Sequence, residues 1–375
     1  MKFLICGTLV PGKYETKIEH LSNAANRFLL NYCNALAKQK RLAVASYLGI
    51  PVEDDVKEML SKEEKAGWDI SYYFASRYKI KGILEFARGL KKQIKDCDCV
   101  VAYNTVYAWL LLPIWARRMK KKSVLLLADY SPAESYNGKL RKLYANLQLK
   151  SIRRYDYVIG LSENVRAYLQ PEQRFMCMEG GIAKSFFDYY AKEKKYDEQK
   201  IYVQYAGILE PVTGIDRLME AFHSIEDASY VLRISGKGSL AADVKEMAVM
   251  DERIQYLGCP AYEQYMSNLY QADILVNPRN MELKENENNF PSKIMEYLAT
   301  GKYVVSTKFP GWERYRDHIA FCKSDVSAIK EQLLKVAAGI PKQKKSLFEE
   351  RRKFAEQFIW ENQIERFLLF ISDLN

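Results

Sequence analysis

Short apolar segments alternate with longer segments of helical periodicity along the whole chain. In the first half the apolar segments are rich in β-branched residues and each is four to eight residues long, which is typical of buried strands. This alternation predicts parallel sheets with crossover helices. The strands predicted in the first half are 2–7, 41–47, 97–104, 123–129, 155–162 and 175–181.

A second series of strands begins after a charged, aperiodic segment. Residues 188–200 (DYYAKEKKYDEQK) lack a buried face and indicate a linker. Helical patterns such as 215–224 and 262–271 fall between the strands that follow, which predicts a second doubly wound sheet. The strands predicted here are 201–207, 230–236, 254–258, 272–278, 303–307 and 319–322.

The length of the chain agrees with two domains. Its 375 residues exceed what one hydrophobic core usually supports. We expect a first Rossmann-like domain over 1–190 and a second over 191–350. An amphipathic pattern from about Lys345 to Leu374 predicts one long helix, and we expect its part from residue 351 to 375 to pack back toward the first domain.

Charge is distributed unevenly between the two halves. Residues 1–190 hold 31 Lys and Arg against 19 Asp and Glu, a balance of +12, within a net charge of +10 for the chain. Cationic runs at 117–122 and 139–142 could face anionic lipid, a polyphosphate or nucleic acid, and of these we expect an anionic membrane surface. A merely solvated surface is the alternative. No apolar stretch is long enough to span a bilayer, and the N-terminal residues do not resemble a signal peptide. We therefore expect a cytoplasmic protein that is either soluble or peripheral to the inner membrane face.

Cysteine and histidine usage gives no metal or disulfide pattern. The seven cysteines are scattered, mostly within apolar runs, and only three histidines are present. We therefore expect a reducing compartment and no metal. The first strand is not followed by a G-x-G-x-x-G motif, and no cofactor is expected.

The segment 277–307 carries the clearest candidate site. A strand ends at Asn277 and a helix begins near Pro291 and Ser292, which would place the N–H groups of Ser292, Lys293 and Ile294 at the carboxyl edge of the sheet, where a helix start favours phosphate. Lys293 and Glu296 share one helix face, and this cation and carboxylate suit a diphosphate and a ribose. The alternatives are a capping hydroxyl for Ser292 and solvated side chains for the other two.

Several motifs together resemble a known family. They are FPSKIMEYLATGKYVV (290–305), AGILEPVTGIDRLMEAF (206–222), ISGKGS (234–239), residues 254–278 and LSENVRAYL (161–169). These segments resemble family 4 of the retaining glycosyltransferases, of the bacterial polysaccharide-assembly type. The resemblance implies the α/β GT-B fold, in which two Rossmann-like doubly wound domains face each other across a cleft and the C-terminal helix crosses back to the first domain.

The family pattern implies roles for individual residues. Glu296 matches the second glutamate of the family's pair, which contacts the nucleotide ribose, whereas Asn288 stands where the first would lie near the sugar. Ile208 and Thr213 replace an Arg and a Lys that grip the diphosphate. We therefore assign Asn288 and Glu296 as catalytic residues. The donor-binding candidates are Gly12, Lys237, Arg279, Phe290, Pro291, Ser292, Lys293 and Glu296. For Gly12, which follows the first strand, an ordinary turn is the alternative.

The resemblance implies a hexosyltransferase that uses a nucleotide diphosphate sugar as its donor substrate. The acceptor would be a saccharide, or a polyprenyl-linked saccharide, in surface polysaccharide synthesis. A sugar-nucleotide epimerase of the same fold is one alternative, although such enzymes generally need acid/base carboxylates and histidines in the cleft, and this chain has only three histidines. A basic membrane- or nucleic-acid-binding module is another, but no recognisable nucleic-acid motif is present and no nucleic-acid partner is expected.

Overall fold

Two parallel β-sheets organise the protein, and each belongs to a separate compact unit. The computed structural model describes residues 1–62, 67–75, 79–189, 199–286, 290–340 and 345–372. Unit 1 comprises Met1–Gly181 and Trp360–Asn375, and unit 2 comprises Ile182–Ile359. Most of the segment predicted to be a linker, 190–198, lies outside the described residues.

Unit 1 contains a seven-stranded sheet of order β3-β2-β1-β4-β5-β6-β7 in which all described pairings are parallel. Its strands are β1 Lys2–Gly7, β2 Arg41–Leu48, β3 Asp69–Phe74, β4 Cys99–Tyr103, β5 Lys122–Leu127, β6 Tyr157–Gly160 and β7 Arg174–Cys177. Its helices up to residue 181 are α1 Asn23–Ala37, α2 Asp54–Ser61, α3 Lys79–Lys95, α4 Leu112–Arg118 and α5 Lys139–Ile152.

The six strands predicted for the first half are confirmed, and β3 is a seventh that the prediction missed. Its sequence, DISYYF, begins with an acidic residue, and most of its side chains are only half-buried because it is the edge strand beside β2. An edge strand needs no continuous apolar run, so its pattern is weak.

Unit 2 contains a six-stranded parallel sheet of order β10-β9-β8-β11-β12-β13. Its strands are β8 Ile201–Ala206, β9 Tyr230–Ser235, β10 Ile254–Tyr256, β11 Ile274–Asn277, β12 Tyr303–Thr307 and β13 Ala320–Cys322. Its helices are α6 Lys184–Phe187, α7 Ile215–His223, α8 Ala241–Met250, α9 Tyr262–Gln271, α10 Lys293–Ala299, α11 Val326–Gly339 and α12 Lys345–Glu356. All six strands predicted for this half are present, which confirms the second doubly wound sheet.

The predicted C-terminal helix is two helices rather than one. α12 ends at Glu356, and α13 runs over Trp360–Ser372. Between them Ile359 forms an isolated parallel bridge with Ile182, and the Phe358 carbonyl accepts a hydrogen bond from the Ile182 N–H at 2.8 Å. The amphipathic pattern continues through this break, so periodicity alone could not locate it.

α13 completes one side of the unit 1 core. Trp360 packs edge-on against Phe28 with ring centres 4.9 Å apart, and Phe367 lies 5.8 Å from Phe3 and 5.6 Å from Tyr32. The predicted return of the C-terminal helix to the first sheet is therefore confirmed.

No helix in the described part of the chain is long and apolar enough to cross a membrane.

Candidate functional site

The strand order of unit 2 identifies a crevice at the carboxyl edge of its sheet. β8 is the first strand of the unit, and the chain moves outward through β9 and β10 on one side and through β11, β12 and β13 on the other. The loops after β8 and β11 therefore diverge at this edge, which is where ligands bind in open α/β sheets. The residues predicted for the site in unit 2 follow β9 and β11.

Two glycines after β9 fix the loop that follows β8. Gly236 has φ +147°, and a Cβ built on it would lie 1.7 Å from the Gly207 carbonyl oxygen. Gly238 has φ +159°, and its Cβ would lie 2.2 Å from the Leu209 carbonyl oxygen. The Leu209 N–H donates to the Lys237 carbonyl at 2.9 Å. The two loops thus pack backbone against backbone, which only glycine permits.

A third close approach joins the loop after β8 to the loop after β11. Gly214 has φ +70°, and a Cβ there would lie 2.2 Å from the Pro278 carbonyl oxygen. The buried Asn286 side chain donates from Nδ2 to the Val212 carbonyl at 2.9 Å and to the Asn280 carbonyl at 2.6 Å. Close main-chain packing and one buried amide side chain therefore hold the two loops together.

α10 begins at this edge, as the sequence predicts. Ile294 and Leu298 are fully buried, which confirms that they face the core, while Ser292 is exposed and Lys293 and Glu296 are half-buried. Pro291 is buried, and the buried Phe290 ring packs against Phe309 at 5.2 Å and Tyr315 at 5.8 Å.

The backbone at the start of α10 corrects one expectation. The Ile294 N–H donates to the Pro291 carbonyl at 2.9 Å, so it is not directed at a ligand as predicted. Within the described residues, the Ser292 hydroxyl makes no capping hydrogen bond. The helix has only seven residues, about two turns.

Tyr265 on α9 joins the two charged residues of α10. Its hydroxyl donates a hydrogen bond to Glu296 Oε2, and Lys293 Nζ lies 4.9 Å from the centre of its ring. Burial, and then the nearby Glu296 carboxylate, raise the pKa of Tyr265 well above its ordinary value, so the phenol remains a donor. The prediction missed Tyr265 because nothing in the sequence pairs a residue of α9 with one of α10.

Arg279 and Lys237, predicted to neutralise phosphate, lie in loops at the same edge. Lys237 is exposed between the two glycines of the β9 loop. Arg279 is half-buried directly after β11. Burial raises the pKa of Tyr205 to about 12, and the Thr213 hydroxyl and the Arg279 charge oppose that rise. The Arg279 charge is therefore near Tyr205, at the end of β8 beside the crevice.

Ile208 and Thr213 stand where the family pattern has cations, and their side chains have different surroundings. Ile208 is 60% exposed. Thr213 Oγ1 lies 2.7 Å from the Glu210 carbonyl oxygen and 3.1 Å from the Ile208 carbonyl oxygen, and its one hydrogen is shared between these acceptors, so it stabilises the loop after β8. The Glu210 carboxylate accepts the Ser239 N–H at 2.8 Å and the Ser239 hydroxyl, which hold the pKa of Glu210 below its usual range.

Two predicted residues are not placed with the others. Asn288 lies outside the described residues, so its role near a sugar stays a prediction. Gly12 lies in unit 1, where it begins a short 3-10 turn, and a Cβ built on it would meet no atom within 4 Å. The backbone there does not require glycine, in contrast with Gly236. No cluster of three or more metal-ligating side chains occurs among the described residues.

Comparisons with known proteins relate this architecture to glycosyltransferases. Residues 200–338 match the family model described as glycosyl transferases group 1. No curated protein sequence matches the chain.

Three solved structures are similar over nearly the whole chain. HepE from Anabaena, solved in complex with UDP, is 16% identical with a TM-score of 0.72 and full coverage of both chains. Sucrose-phosphate synthase from Thermosynechococcus elongatus is 14% identical with a TM-score of 0.73, covering 98% of this chain and 99% of its own. WaaG, a glycosyltransferase involved in lipopolysaccharide biosynthesis, is 15% identical with a TM-score of 0.64, covering 94% and 95%.

These findings confirm the fold and the enzyme class that the sequence predicts. The two parallel-sheet units, together with the structural similarity, give the GT-B fold. The matched segment contains the loops after β8, β9 and β11 and all of α10, and so it contains every predicted site residue except Gly12. Residues 200–338 therefore form a glycosyl transferases group 1 domain, and the chain is a glycosyltransferase of GT-B fold.

Proposed function

We propose that this chain is a retaining glycosyltransferase of family 4 that transfers a hexosyl unit from a nucleoside diphosphate sugar to a saccharide acceptor. The observation that supports it most directly is the Tyr265–Glu296 hydrogen bond beside Lys293. It lies at the carboxyl edge of the sheet, where the loops after β8 and β11 diverge. HepE was solved with UDP and also with UDP-glucose, and we propose a uridine diphosphate donor on that basis.

Glu296 is the proposed ribose contact. A carboxylate has two oxygens and about four lone-pair sites, and the Tyr265 hydroxyl occupies one of these on Oε2. The Tyr265 bond restrains the side chain before a ligand arrives, so less rotamer freedom is lost when two ribose hydroxyls donate to the carboxylate.

Three cations are proposed to meet the charge of the diphosphate. Lys293 lies one turn from Glu296 on α10, Arg279 follows β11, and Lys237 lies in the loop after β9. All three follow strands at the carboxyl edge of the sheet. Because Ile208 and Thr213 supply no charge from the β8 loop, these three carry the neutralisation that the family pattern places there.

The transfer itself is proposed to proceed with retention. The bond between the anomeric carbon and the diphosphate oxygen breaks, the acceptor oxygen bonds to the same face of that carbon, and the acceptor proton passes to the departing phosphate oxygen. The enzyme contributes positioning and charge stabilisation of the leaving group. Asn288 is proposed to hold the donor sugar through hydrogen bonds to its hydroxyls.

The acceptor is proposed to be a saccharide, lipid-linked in bacterial surface polysaccharide synthesis. WaaG, of similar fold, is described as acting in lipopolysaccharide biosynthesis, which supports this class of acceptor.

Calorimetric titration of free UDP tests the donor site. Glu296→Gln is nearly isosteric and removes the charge that accepts the ribose hydroxyls, so we expect the affinity to fall about ten- to a hundredfold, equivalent to roughly 1.5 to 3 kcal/mol. The matched control is Glu220→Gln on the exposed face of α7, which should bind UDP as the native protein does. Equal affinity in both variants, with unchanged melting temperatures, would remove Glu296 from the site.

Turnover separates the sugar contact from the nucleotide contact. Asn288→Ala should lower kcat with little change in UDP affinity, because that residue is proposed to touch the sugar only. Incubation with the nucleotide sugar alone should give no isomerised sugar, whereas an epimerase would form product without an acceptor.

A further inference from the structure

α5 in unit 1 exposes a stripe of leucines. Leu140, Leu143 and Leu147 have exposed fractions of 83%, 57% and 44%. Residues spaced by three and four positions lie on one face of a helix, so these three side chains form a continuous apolar strip along about two turns.

A different face of α5 already supplies its packing. Ala145 and Ile152 are fully buried. Ile152 belongs to a hydrophobic cluster of unit 1, and Leu149 packs against that cluster. Gln148 Nε2 donates to the Thr105 carbonyl at 2.6 Å, and Ser151 Oγ donates to the Leu110 carbonyl at 2.7 Å. The helix is therefore fixed to unit 1 by its inner face, and the leucine strip is additional to what the fold needs.

The charged residues of α5 are all cations. Residues 139–152 contain Lys139, Arg141, Lys142 and Lys150, all exposed, and no Asp or Glu. An exposed apolar strip on a helix whose charges are all positive is typical of a helix that lies in the plane of a membrane interface. Each Lys or Arg near an anionic surface strengthens binding about fivefold, a free energy of about 1 kcal/mol. We propose that α5 binds an anionic lipid surface, inserting the leucine strip between headgroups.

This proposal assigns the membrane contact to one of the two cationic runs that the sequence shows. α4 ends before the amino end of β5, whereas α5 begins after its carboxyl end, so the runs 117–122 and 139–142 lie at opposite edges of the sheet. Lys122 also donates from Nζ to the Ile371 carbonyl at 2.9 Å and is therefore engaged within unit 1. The two runs do not form a single patch.

Other occupants fit the surface less well. A second copy of α5 placed across a twofold axis would bring cations against cations, because the helix carries no carboxylate to pair with them. Nucleic acid would use the cations but would leave the leucines in water. A lipid surface satisfies both features.

The first experiment measures co-sedimentation with phosphatidylcholine vesicles, with and without phosphatidylglycerol. The native protein should bind only the anionic vesicles, and high salt should release it because the attraction is screened. Leu140→Ser with Leu143→Ser should reduce binding at least about tenfold through the lost apolar insertion.

The apolar control lies on α8 in unit 2. Val249 and Met250 are 87% and 67% exposed, but acidic residues Asp243 and Glu246 share their helix. Val249→Ser with Met250→Ser should leave vesicle binding unchanged. Equal losses in the two serine pairs would contradict the proposal.

A charge-matched pair of variants tests the location of the surface. Replacing Lys139, Arg141 and Lys142 with Gln should lower anionic-vesicle affinity on the order of a hundredfold. Replacing Arg117, Arg118 and Lys120 with Gln changes the net charge equally and should have a much smaller effect.

The affinity of each variant for UDP and its melting temperature report whether the fold is intact. Equal losses from both triple variants would show diffuse attraction rather than binding by α5, and no binding of the native protein at low salt would overturn the proposal outright.

Discussion

The two sheets hold the loop after their first strand in different ways. After β8 in unit 2, main chain packs on main chain at Gly236 and Gly238. After β1 in unit 1, buried polar side chains hold the loop through hydrogen bonds to its backbone. Ser46 Oγ donates to the Leu9 carbonyl at 2.7 Å, and Asn26 accepts from the Val10 N–H at 2.8 Å and donates to its carbonyl at 2.9 Å.

This difference indicates how one topology provides two kinds of surface. Loops packed through glycine bring main chain close to main chain at the crevice, where Arg279 and Lys237 also lie. Loops held by buried polar side chains depend on complete hydrogen bonding, because an orphaned buried group is costly. The candidate donor residues concentrate in the unit whose loops are held by backbone.

The largest expected effect is at the closest backbone contact. Gly236→Ala places a methyl group 1.7 Å from the Gly207 carbonyl oxygen at φ +147°, so we expect a loss of about 4 kcal/mol or more in the free energy of unfolding. The matched variant Gly12→Ala meets no neighbouring atom and should change stability by less than about 1 kcal/mol. Chemical denaturation measures both. Similar losses would show that the two loops are held in the same way.

A smaller effect is expected from the buried asparagine of unit 1. Asn26→Ala removes the partner of both polar groups of Val10 and should cost about 3 kcal/mol of unfolding free energy. Asn31→Ala, at a half-buried position of the same helix, serves as the control and should change stability little. If Asn26→Ala proved as mild as its control, the side-chain account of the β1 loop would fail.

The smallest effect is expected at Tyr265. Tyr265→Phe keeps the ring under Lys293 but removes the hydroxyl that restrains Glu296, so UDP affinity should fall about threefold to tenfold, less than in Glu296→Gln. Because the pKa of Tyr265 is raised, its hydroxyl stays protonated through the ordinary tyrosine range, and the hydrogen bond is lost only as pH rises above it.

The affinity difference between the native protein and Tyr265→Phe should therefore persist from neutral pH to about pH 10, the ordinary tyrosine pKa. Calorimetric titration across this range checks the expectation. A difference that vanished well below pH 10 would indicate that Tyr265 ionises and does not act as a donor.

The sequence predicts buried elements better than exposed ones. The central strand β4, CVVAY, is a continuous apolar run because both faces of the sheet are covered, so its pattern is unambiguous. β3 lies at an edge of its sheet and is mostly half-buried, so it has no continuous apolar run from which to predict it. The break between α12 and α13 was missed because it leaves the amphipathic pattern intact and depends on the contact of Ile359 with Ile182.

In the candidate site, too, the sequence predicts what depends on spacing within one helix but not what depends on packing between helices. Spacing within one helix was enough to place Lys293 and Glu296 on a shared face and Ile294 in the core. Tyr265 could not be found in this way, because its contact with Glu296 depends on how α9 and α10 pack. The hydrogen bond of the Ile294 N–H to Pro291 is a detail of local backbone geometry that residue types do not encode uniquely. The role of Asn288 stays a prediction.

The discontinuity of unit 1 has a consequence for the order in which the protein acquires its structure during translation. The core around Phe3 and Tyr32 includes Phe367, which is synthesised only after every residue of unit 2. A domain generally folds when its residues are available, and synthesis proceeds from the N-terminus. Unit 2 can therefore finish folding on the ribosome while unit 1, although begun first, still exposes the apolar surface that α13 will cover.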